Sequence, residues 1–230
     1  MSERVRAGYR GTGPGAITPD GCSVELYERI PVGDEPEVIA AAVPAGATIL
    51  ELGCGVGRVT HPLAARGFTV TAVDESAEML ERVRGVRTVR GSIETLELDE
   101  RFDVVLLGSF LVHAGDLEVR RGLLRTCRRY VADGGCVLIQ RQTEDPNRYD
   151  SLPVQAVVDG GVHRLVSAPE VSPGVREIRV EYVYPDAEWS QTFLSRQLTA
   201  EAFEAALAEA DLAVDVYLTP DHTWVRAVPL

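Results

Sequence analysis

Residues 49–74 read ILELGCGVGRVTHPLAARGFTVTAVD, and this stretch decides the predicted fold. The apolar run at residues 48–52 leads directly into Gly53, Gly55 and Gly57, which predicts a buried strand, a glycine turn and a helix. A side chain in such a turn would hold a ligand away from the backbone N–H groups, so glycine is required there. Junctions of this kind bind nucleotides in α/β proteins.

Residues 68–73 form the next β-like run, and Asp74 follows it. The carboxylate of Asp74 can accept hydrogen bonds from both hydroxyls of a ribose. The spacing G-x-G-x-G differs from the G-x-G-x-x-G of dinucleotide sites, since Arg58 stands where the third glycine would fall. A guanidinium pairs with a carboxylate in a forked geometry, and Glu51 can meet an ammonium group directly or through water. A ribose and an amino-acid group together describe S-adenosylmethionine. An ordinary strand-turn-helix with incidental glycines is the alternative interpretation.

Three motifs resemble those of the class I S-adenosylmethionine-dependent methyltransferases. ELGCGVGR is similar to their first motif, AVDESAEML to their ribose-binding acid and following helix, and FDVVLLGSFLVHA to their fourth-strand motif. The resemblance covers about residues 36–142 and the C-terminal end. Within the family it is strongest to small-molecule enzymes, including amino-sugar N-methyltransferases of bacterial secondary metabolism. It implies S-adenosylmethionine as cofactor and S-adenosylhomocysteine as product.

The resemblance also implies a cofactor site. The family commonly has an aspartate where Ser92 stands, so the adenine amino group would meet a serine hydroxyl or the Ile93 backbone. Gly108 would let the backbone approach the methionine part, and Met79 would pack either on adenine or in the core. In related enzymes an N-terminal tyrosine closes the pocket, a role open to Tyr27 unless it packs an amphipathic helix. The predicted cofactor-binding residues are Tyr27, Glu51, Gly53, Gly55, Gly57, Arg58, Asp74, Glu75, Met79, Ser92, Ile93, Gly108 and Ser109.

His113 is the predicted catalytic residue, because an imidazole with a pKa near neutrality can take a proton from an attacking hydroxyl or ammonium. The alternative is a histidine that hydrogen-bonds the helix beginning near Asp116. Methyl transfer from a sulfonium needs little covalent help, so positioning of the acceptor is expected to supply much of the acceleration.

The predicted fold is an α/β Rossmann-like sheet of five parallel strands with a C-terminal antiparallel hairpin. Residues 150–197 contain four successive β-like runs without helices, which predicts a small antiparallel β insertion that caps the active site. The expected divisions are a leader or lid at residues 1–35, a cofactor-binding core at 36–149, the insertion at 150–197, and a closing helix and hairpin at 198–230. The candidate substrate residues are Arg141, Tyr182, Tyr184, Trp189 and Thr192, although alternating residues of a sheet must also fill a core.

Composition limits the function. The 230 residues are 45% apolar and carry a formal net charge of −12, which disfavours nucleic acid as a partner despite the arginines of residues 120–129. No membrane span or signal peptide is expected, so we predict a cytoplasmic protein without membrane partners. The four cysteines indicate neither zinc nor disulfides, and no metal is expected.

The predicted function is methyl transfer to nitrogen or oxygen of a small organic acceptor, with a homodimer as a candidate assembly. The alternatives are a C-methyltransferase or another S-adenosylmethionine-using enzyme, a nicotinamide-dependent oxidoreductase, and a cofactor-binding protein without activity.

Overall fold

The computed structural model describes residues 6–230. It divides the chain into two units, each formed from two segments. The core unit comprises Val32–Glu144 and Leu198–Leu230. The accessory unit comprises Met1–Pro31 and Asp145–Gln197.

The strands are β1 (Arg10–Thr12), β2 (Thr48–Leu52), β3 (Thr69–Asp74), β4 (Arg87–Arg90), β5 (Phe102–Leu107), β6 (Val131–Gln140), β7 (Val154–Val158), β8 (Gly161–Ser167), β9 (Glu170–Ser172), β10 (Val175–Tyr184), β11 (Ala187–Ser195), β12 (Leu212–Tyr217) and β13 (Trp224–Pro229). The α-helices are α1 (Val24–Arg29), α2 (Glu35–Ala42), α3 (Thr60–Ala65), α4 (Ala77–Leu80), α5 (Leu117–Tyr130) and α6 (Ala200–Ala208). One-turn 3-10 helices span Ile93–Thr95 and Leu111–His113.

The core unit is built on a seven-stranded sheet in the order β12-β13-β6-β5-β2-β3-β4. Strands β6, β5, β2, β3 and β4 are parallel, whereas β13 runs antiparallel to β6 and forms a hairpin with β12. The predicted α/β fold class is therefore confirmed.

Both faces of this sheet are buried, which explains why its central strands read as continuous apolar runs. Helices α5 and α6 cover one face, where Leu124, Phe203 and Leu50 belong to one buried cluster. The opposite face carries Ile49, which packs in a second cluster with Ile39 of α2 and Leu63 of α3. With helices on both faces, the edge formed by the carboxyl ends of the parallel strands is the place where a ligand can enter.

The accessory unit is an antiparallel sheet in the order β1-β11-β10-β8-β7, with β9 paired to β10. The four predicted β-like runs correspond to β7, β8, β10 and β11. Two strands were missed, because β9 is a three-residue segment between prolines and β1 lies in the Gly- and Pro-rich leader. Since β1 pairs with β11, the leader groups with the insertion, whereas the predicted divisions kept the two apart.

Three further observations concern residues 6–230. Within them, no helix has both the length and the apolar character needed to cross a membrane. The same residues contain no group of histidine, cysteine, aspartate and glutamate side chains that could hold a metal ion. The four cysteines are free thiols, and three of them are buried.

Candidate functional site

The glycine turn follows β2 as predicted. Gly53, Gly55 and Gly57 have φ angles of 75°, 56° and 85°, in the left-handed region that favours glycine. The turn is also crowded at one point, because a Cβ on Gly57 would lie 2.6 Å from Cε1 of His61. The His61 ring could move aside, so it is the φ angles that favour glycine in this turn, whether or not a ligand is present.

Asp74, at the end of β3, is hydrogen-bonded to the glycine turn. Its Oδ2 accepts a hydrogen bond from the Gly55 N–H at 2.9 Å, and its Oδ1 accepts one from the Ser76 N–H at 2.9 Å. Each carboxylate oxygen has a further lone pair, so these bonds leave capacity for ribose hydroxyls. The carboxylate therefore links the loops that follow β2 and β3 at the sheet edge.

Glu51 lies at the end of β2 and is 5% exposed. Its Oε2 accepts a hydrogen bond from the Thr60 hydroxyl at 2.6 Å. Burial raises the pKa of Glu51 to about 7, although the Thr60 hydrogen bond and the charge of Arg58 oppose the rise. A buried carboxyl group with a pKa near neutrality is matched to a cationic ligand group, which would favour its ionised form.

Arg58 has a partner that sequence reasoning missed. Its Nη1 donates to Oε1 of Glu35 at 2.9 Å. Glu35, in the first turn of α2, is 8% exposed, and its Oε2 accepts the Gly33 N–H at 2.6 Å. No spacing in the sequence signals this pairing, because an acid in the first turn of a helix is common for helix-dipole reasons alone.

The opposite wall comes from the ends of β5 and β6. The Ser109 N–H donates to Oε1 of Gln140 at 2.8 Å. Ser109 and Phe110 have φ angles of 52° and 59°, an uncommon conformation for residues other than glycine. Such strain persists where the surroundings enforce it and clusters at functional sites. The wall therefore has the backbone character expected of a ligand-contacting loop.

Together these groups line a cleft with about 300 Å³ of empty space that is continuous with solvent. Five predicted cofactor-binding residues line it, namely Glu51, Gly53, Arg58, Gly108 and Ser109. Glu35, Gln140 and Trp224 also line the cleft, and they are absent from the predicted cofactor-binding set. An arginine with two neighbouring carboxyl groups suits a ligand group that bears both a carboxylate and an ammonium.

The residues predicted to hold the adenosine part follow β3 and β4. Met79 is 3% exposed, and its N–H donates to the hydroxyl of Ser76, which is the N-cap of α4. The Ser92 hydroxyl donates to the carboxylate of Glu94, and the backbone carbonyl of Glu75 accepts from Arg90 Nε. A Cβ on Gly53 would lie 3.7 Å from Cδ1 of Ile93, so these two residues are neighbours. The cofactor roles of these residues remain predictions.

His113 has a structural contact rather than a free nitrogen at Nε2. It is 2% exposed, and its Nε2 accepts the Gln142 N–H at 2.8 Å. An Nε2 that accepts from a backbone N–H cannot also take a proton from a substrate. The geometry thus favours the second interpretation of His113, a histidine that holds local structure.

Arg141 is also placed differently from the prediction, because it is 1% exposed. Its Nη2 donates to the Leu198 carbonyl at 3.0 Å, and its guanidinium carbon lies 4.9 Å from the centre of the Phe203 ring. The guanidinium therefore packs beneath α6. Sequence position alone placed it at the sheet edge and could not show which way the side chain turns.

The predicted substrate residues of the accessory unit do not share one face. Tyr182 pairs with Trp189 across β10 and β11, and Tyr184 lies on the same face, whereas Thr192 pairs with Arg179 on the other face. Tyr184 and Trp189 pack around Leu26 of α1 and are 8% and 3% exposed. Both side chains therefore belong to the core of this unit.

Tyr182 and Tyr27 are less buried than these two aromatic side chains. Tyr182 is half-buried, and its ring meets that of His163 edge to face at 4.9 Å between centres. Tyr27 is also half-buried and accepts a hydrogen bond from the Cys22 thiol at 3.4 Å. Among the predicted residues of the accessory unit, these two keep the most surface for a ligand.

Known proteins similar to this chain are methyltransferases. Residues 50–139 match the model of the methyltransferase domain family. Over 111 residues the chain is 31% identical to the ubiquinone biosynthesis O-methyltransferase of Rickettsia conorii, covering 45% of this chain and 38% of that protein. Over 132 residues it is 37% identical to the cypemycin N-terminal methyltransferase of a Streptomyces species, covering 54% of this chain and 50% of that protein. The chain thus spans half or less of the length of these curated relatives.

A solved structure extends the likeness to the fold. CalS10, an amino pentose methyltransferase from Micromonospora echinaspora solved with S-adenosylmethionine bound, is 23% identical with a TM-score of 0.66. The match covers 86% of this chain and 89% of that one. The methyltransferase resemblance predicted from the three motifs is confirmed for residues 50–139, which match a methyltransferase domain, and the chain has the fold of a solved S-adenosylmethionine-dependent methyltransferase.

Proposed function

We propose that this protein transfers a methyl group from S-adenosylmethionine to nitrogen or oxygen of a small organic acceptor in bacterial secondary metabolism. The observation that carries the proposal is the cleft in which Arg58 and the buried Glu51 lie beside the glycine turn. This set of charges matches the amino-acid group of S-adenosylmethionine, and Asp74 at the next strand end matches its ribose.

Different residues of the core unit bind different parts of the cofactor. Arg58 holds the ligand carboxylate, Glu51 faces the ammonium group, and Asp74 accepts hydrogen bonds from the ribose hydroxyls. The adenine contacts are assigned to Met79, Ser92 and Ile93, with Glu75 beside the ribose. The backbone at Gly53, Gly55, Gly57, Gly108 and Ser109 allows close approach to the cofactor.

When bound, S-adenosylmethionine supplies an electrophilic methyl group on a good leaving group. The protein's contribution is to orient the acceptor nitrogen or oxygen and to exclude water, which supplies several kcal/mol of the acceleration. The Ser109–Phe110 turn is suited to this positioning because Gln140 already accepts a hydrogen bond from the Ser109 N–H. His113 supports the turn region through Gln142.

The proposed acceptor class is drawn from the names of the relatives. By their names, the relatives are an N-terminal methyltransferase, an O-methyltransferase of ubiquinone biosynthesis and an amino pentose methyltransferase, so nitrogen and oxygen acceptors are both represented. We assign acceptor selection to the accessory unit, with Tyr182 as the side chain that keeps surface for it, and Tyr27 keeps its predicted role at the cofactor. The partner is therefore a small molecule, not nucleic acid.

A methyl-transfer screen tests the proposal. The purified protein would be incubated with S-adenosylmethionine and sets of amino sugars, short peptides and phenols, and S-adenosylhomocysteine formation would be measured. The proposal expects turnover with one acceptor class and none after Asp74→Ala. Failure of every amine and hydroxyl acceptor, with cofactor binding intact, would instead favour a cofactor-binding protein without activity.

A further inference from the structure

Glu35 connects the backbone of Gly33 to the side chain of Arg58. One carboxylate oxygen accepts the Gly33 N–H and the other accepts from Arg58, so both oxygens are used. The Glu35 side chain is 11% exposed and that of Arg58 is 22% exposed. Both residues line the cleft beside Glu51. The ion pair is therefore placed where a ligand would meet it.

A second ion pair on the same helix provides a comparison. Glu37, two residues further along α2, pairs with Arg66, but their side chains are 61% and 36% exposed. Exposed pairs contribute little to stability because water screens them and their side chains are mobile. A carboxylate as buried as Glu35 loses hydration and persists only when paired. The Glu35–Arg58 pair at the cleft thus has a desolvation cost, whereas the exposed Glu37–Arg66 pair contributes little to stability.

The geometry of a guanidinium explains what the buried pair can do. The group is planar and has five N–H donors, so a bond from Nη1 to Glu35 leaves the group able to bind a second carboxylate. A carboxylate anchored by a backbone N–H holds that plane in one orientation before the ligand binds. Preorganisation of this kind strengthens binding because less side-chain freedom is lost on association.

We propose that Glu35 is a positioning residue that orients Arg58 for the carboxylate of the amino-acid group of S-adenosylmethionine. This inference rests on the proposed function. It assigns to Glu35 a part in recognising the amino-acid end of the cofactor and none in recognising the adenosine end.

The test compares two ligands that share adenosine but differ in the amino-acid group. Calorimetric titration would measure the dissociation constants of S-adenosylmethionine and of 5′-methylthioadenosine for the wild type, Glu35→Gln and the matched control Glu37→Gln. We expect Glu35→Gln to weaken S-adenosylmethionine binding about tenfold, since a charge-assisted bond is lost, and to leave 5′-methylthioadenosine within about twofold. Glu37→Gln should alter neither ligand.

The remaining outcomes separate the two claims. Absence of S-adenosylmethionine binding to the wild type would overturn the proposed function itself. Equal weakening of both ligands by Glu35→Gln would show a merely structural residue, and tighter S-adenosylmethionine binding would show that Glu35 competes with the ligand for Arg58. Either result would overturn the inference.

A double-mutant cycle covers the case in which Glu35→Gln lowers stability. Introduced into Arg58→Ala, the substitution should cause no further loss of S-adenosylmethionine affinity, because there is no guanidinium left to orient. A further loss as large as in the wild type would contradict the positioning role. Thermal unfolding of each variant establishes that the titrated protein is folded.

Discussion

The cleft of the core unit and the aromatic cluster of the accessory unit differ in how their side chains are used. In the core unit, Arg58 and Glu51 line an open cleft while local hydrogen bonds hold them. In the accessory unit, Tyr184 and Trp189 are buried against Leu26. Burial of a charged side chain costs free energy, so its presence at a strand end calls for a reason such as ligand binding. An aromatic side chain in a small sheet needs no such reason, because it packs in the core of that sheet. Polar residues in a motif are therefore better evidence of a site than aromatic residues in a sheet.

Trp189→Ala should give the largest effect, because it removes a side chain that is 3% exposed and whose Nε1 donates to the Pro14 carbonyl at 2.9 Å. We expect a loss of about 3–5 kcal/mol in the free energy of unfolding of the accessory unit. Denaturant unfolding followed by circular dichroism would measure it. A stable variant with weakened acceptor binding would instead make Trp189 a pocket wall and remove the contrast between the two units.

Glu51 should make stability depend on pH. Because its pKa is about 7 in the folded protein instead of the usual 4.5, the folded state keeps a proton that the unfolded state loses first. The contribution of Glu51 to the free energy of unfolding is fully present below pH 4.5. It falls by about 3 kcal/mol as the pH rises from 4.5 through 7. Subtracting the unfolding free energies of Glu51→Gln from those of the wild type at each pH isolates this slope.

The same group should couple pH to binding. If an ammonium group faces Glu51, the ionised form binds better, and S-adenosylmethionine affinity rises as the pH increases from 6 to 8. Glu51→Gln should flatten this rise. A wild-type affinity that is independent of pH would place the ammonium group elsewhere.

Arg58→Ala should cost about 2 kcal/mol of S-adenosylmethionine binding, or roughly thirtyfold in the dissociation constant. Arg66→Ala is the matched control, since Arg66 pairs with an exposed glutamate on the surface of the same unit. Calorimetry on both variants measures the difference. Equal affinities for the two variants would mean that the cleft binds its ligand without Arg58.

His113→Ala should have the smallest effect, a loss of about 1–2 kcal/mol in unfolding free energy from the broken bond to Gln142. Because Nε2 is occupied, the pH profile of methyl transfer should keep its shape in the variant. Loss of an ionisation near neutrality from that profile would restore His113 as the catalytic base.

The sequence predicted the core unit in more detail than the accessory unit for a physical reason. Local patterns located β2, β3, β5 and the glycine turn that follows β2. These patterns are the glycine spacing, an acid after a strand and the apolar runs. The pairing of Glu35 with Arg58 and the bond from Gln142 to His113 join residues far apart in the chain, and single-sequence patterns do not record such contacts. Short strands such as β1 lack enough residues to show alternation.

The direction of a side chain also escaped prediction. Arg141 follows the end of β6, beside the cleft residue Gln140, yet its guanidinium turns inward beneath Phe203. Thr192 lies in the predicted strand but on the face opposite Tyr182. Strand periodicity gives relative faces only after the register with neighbouring strands is known.

The most direct test of the central claim is calorimetric titration of the wild type and Asp74→Ala with S-adenosylmethionine, S-adenosylhomocysteine and NAD. Asp133→Ala, at a carboxylate whose side chain is 99% exposed, is the control for removal of a charge. We predict micromolar binding of both sulfur compounds by the wild type and the control, loss of that binding in Asp74→Ala, and no binding of NAD. Two results with the folded wild-type protein would contradict the account. One is binding of NAD, and the other is failure to bind either sulfur compound.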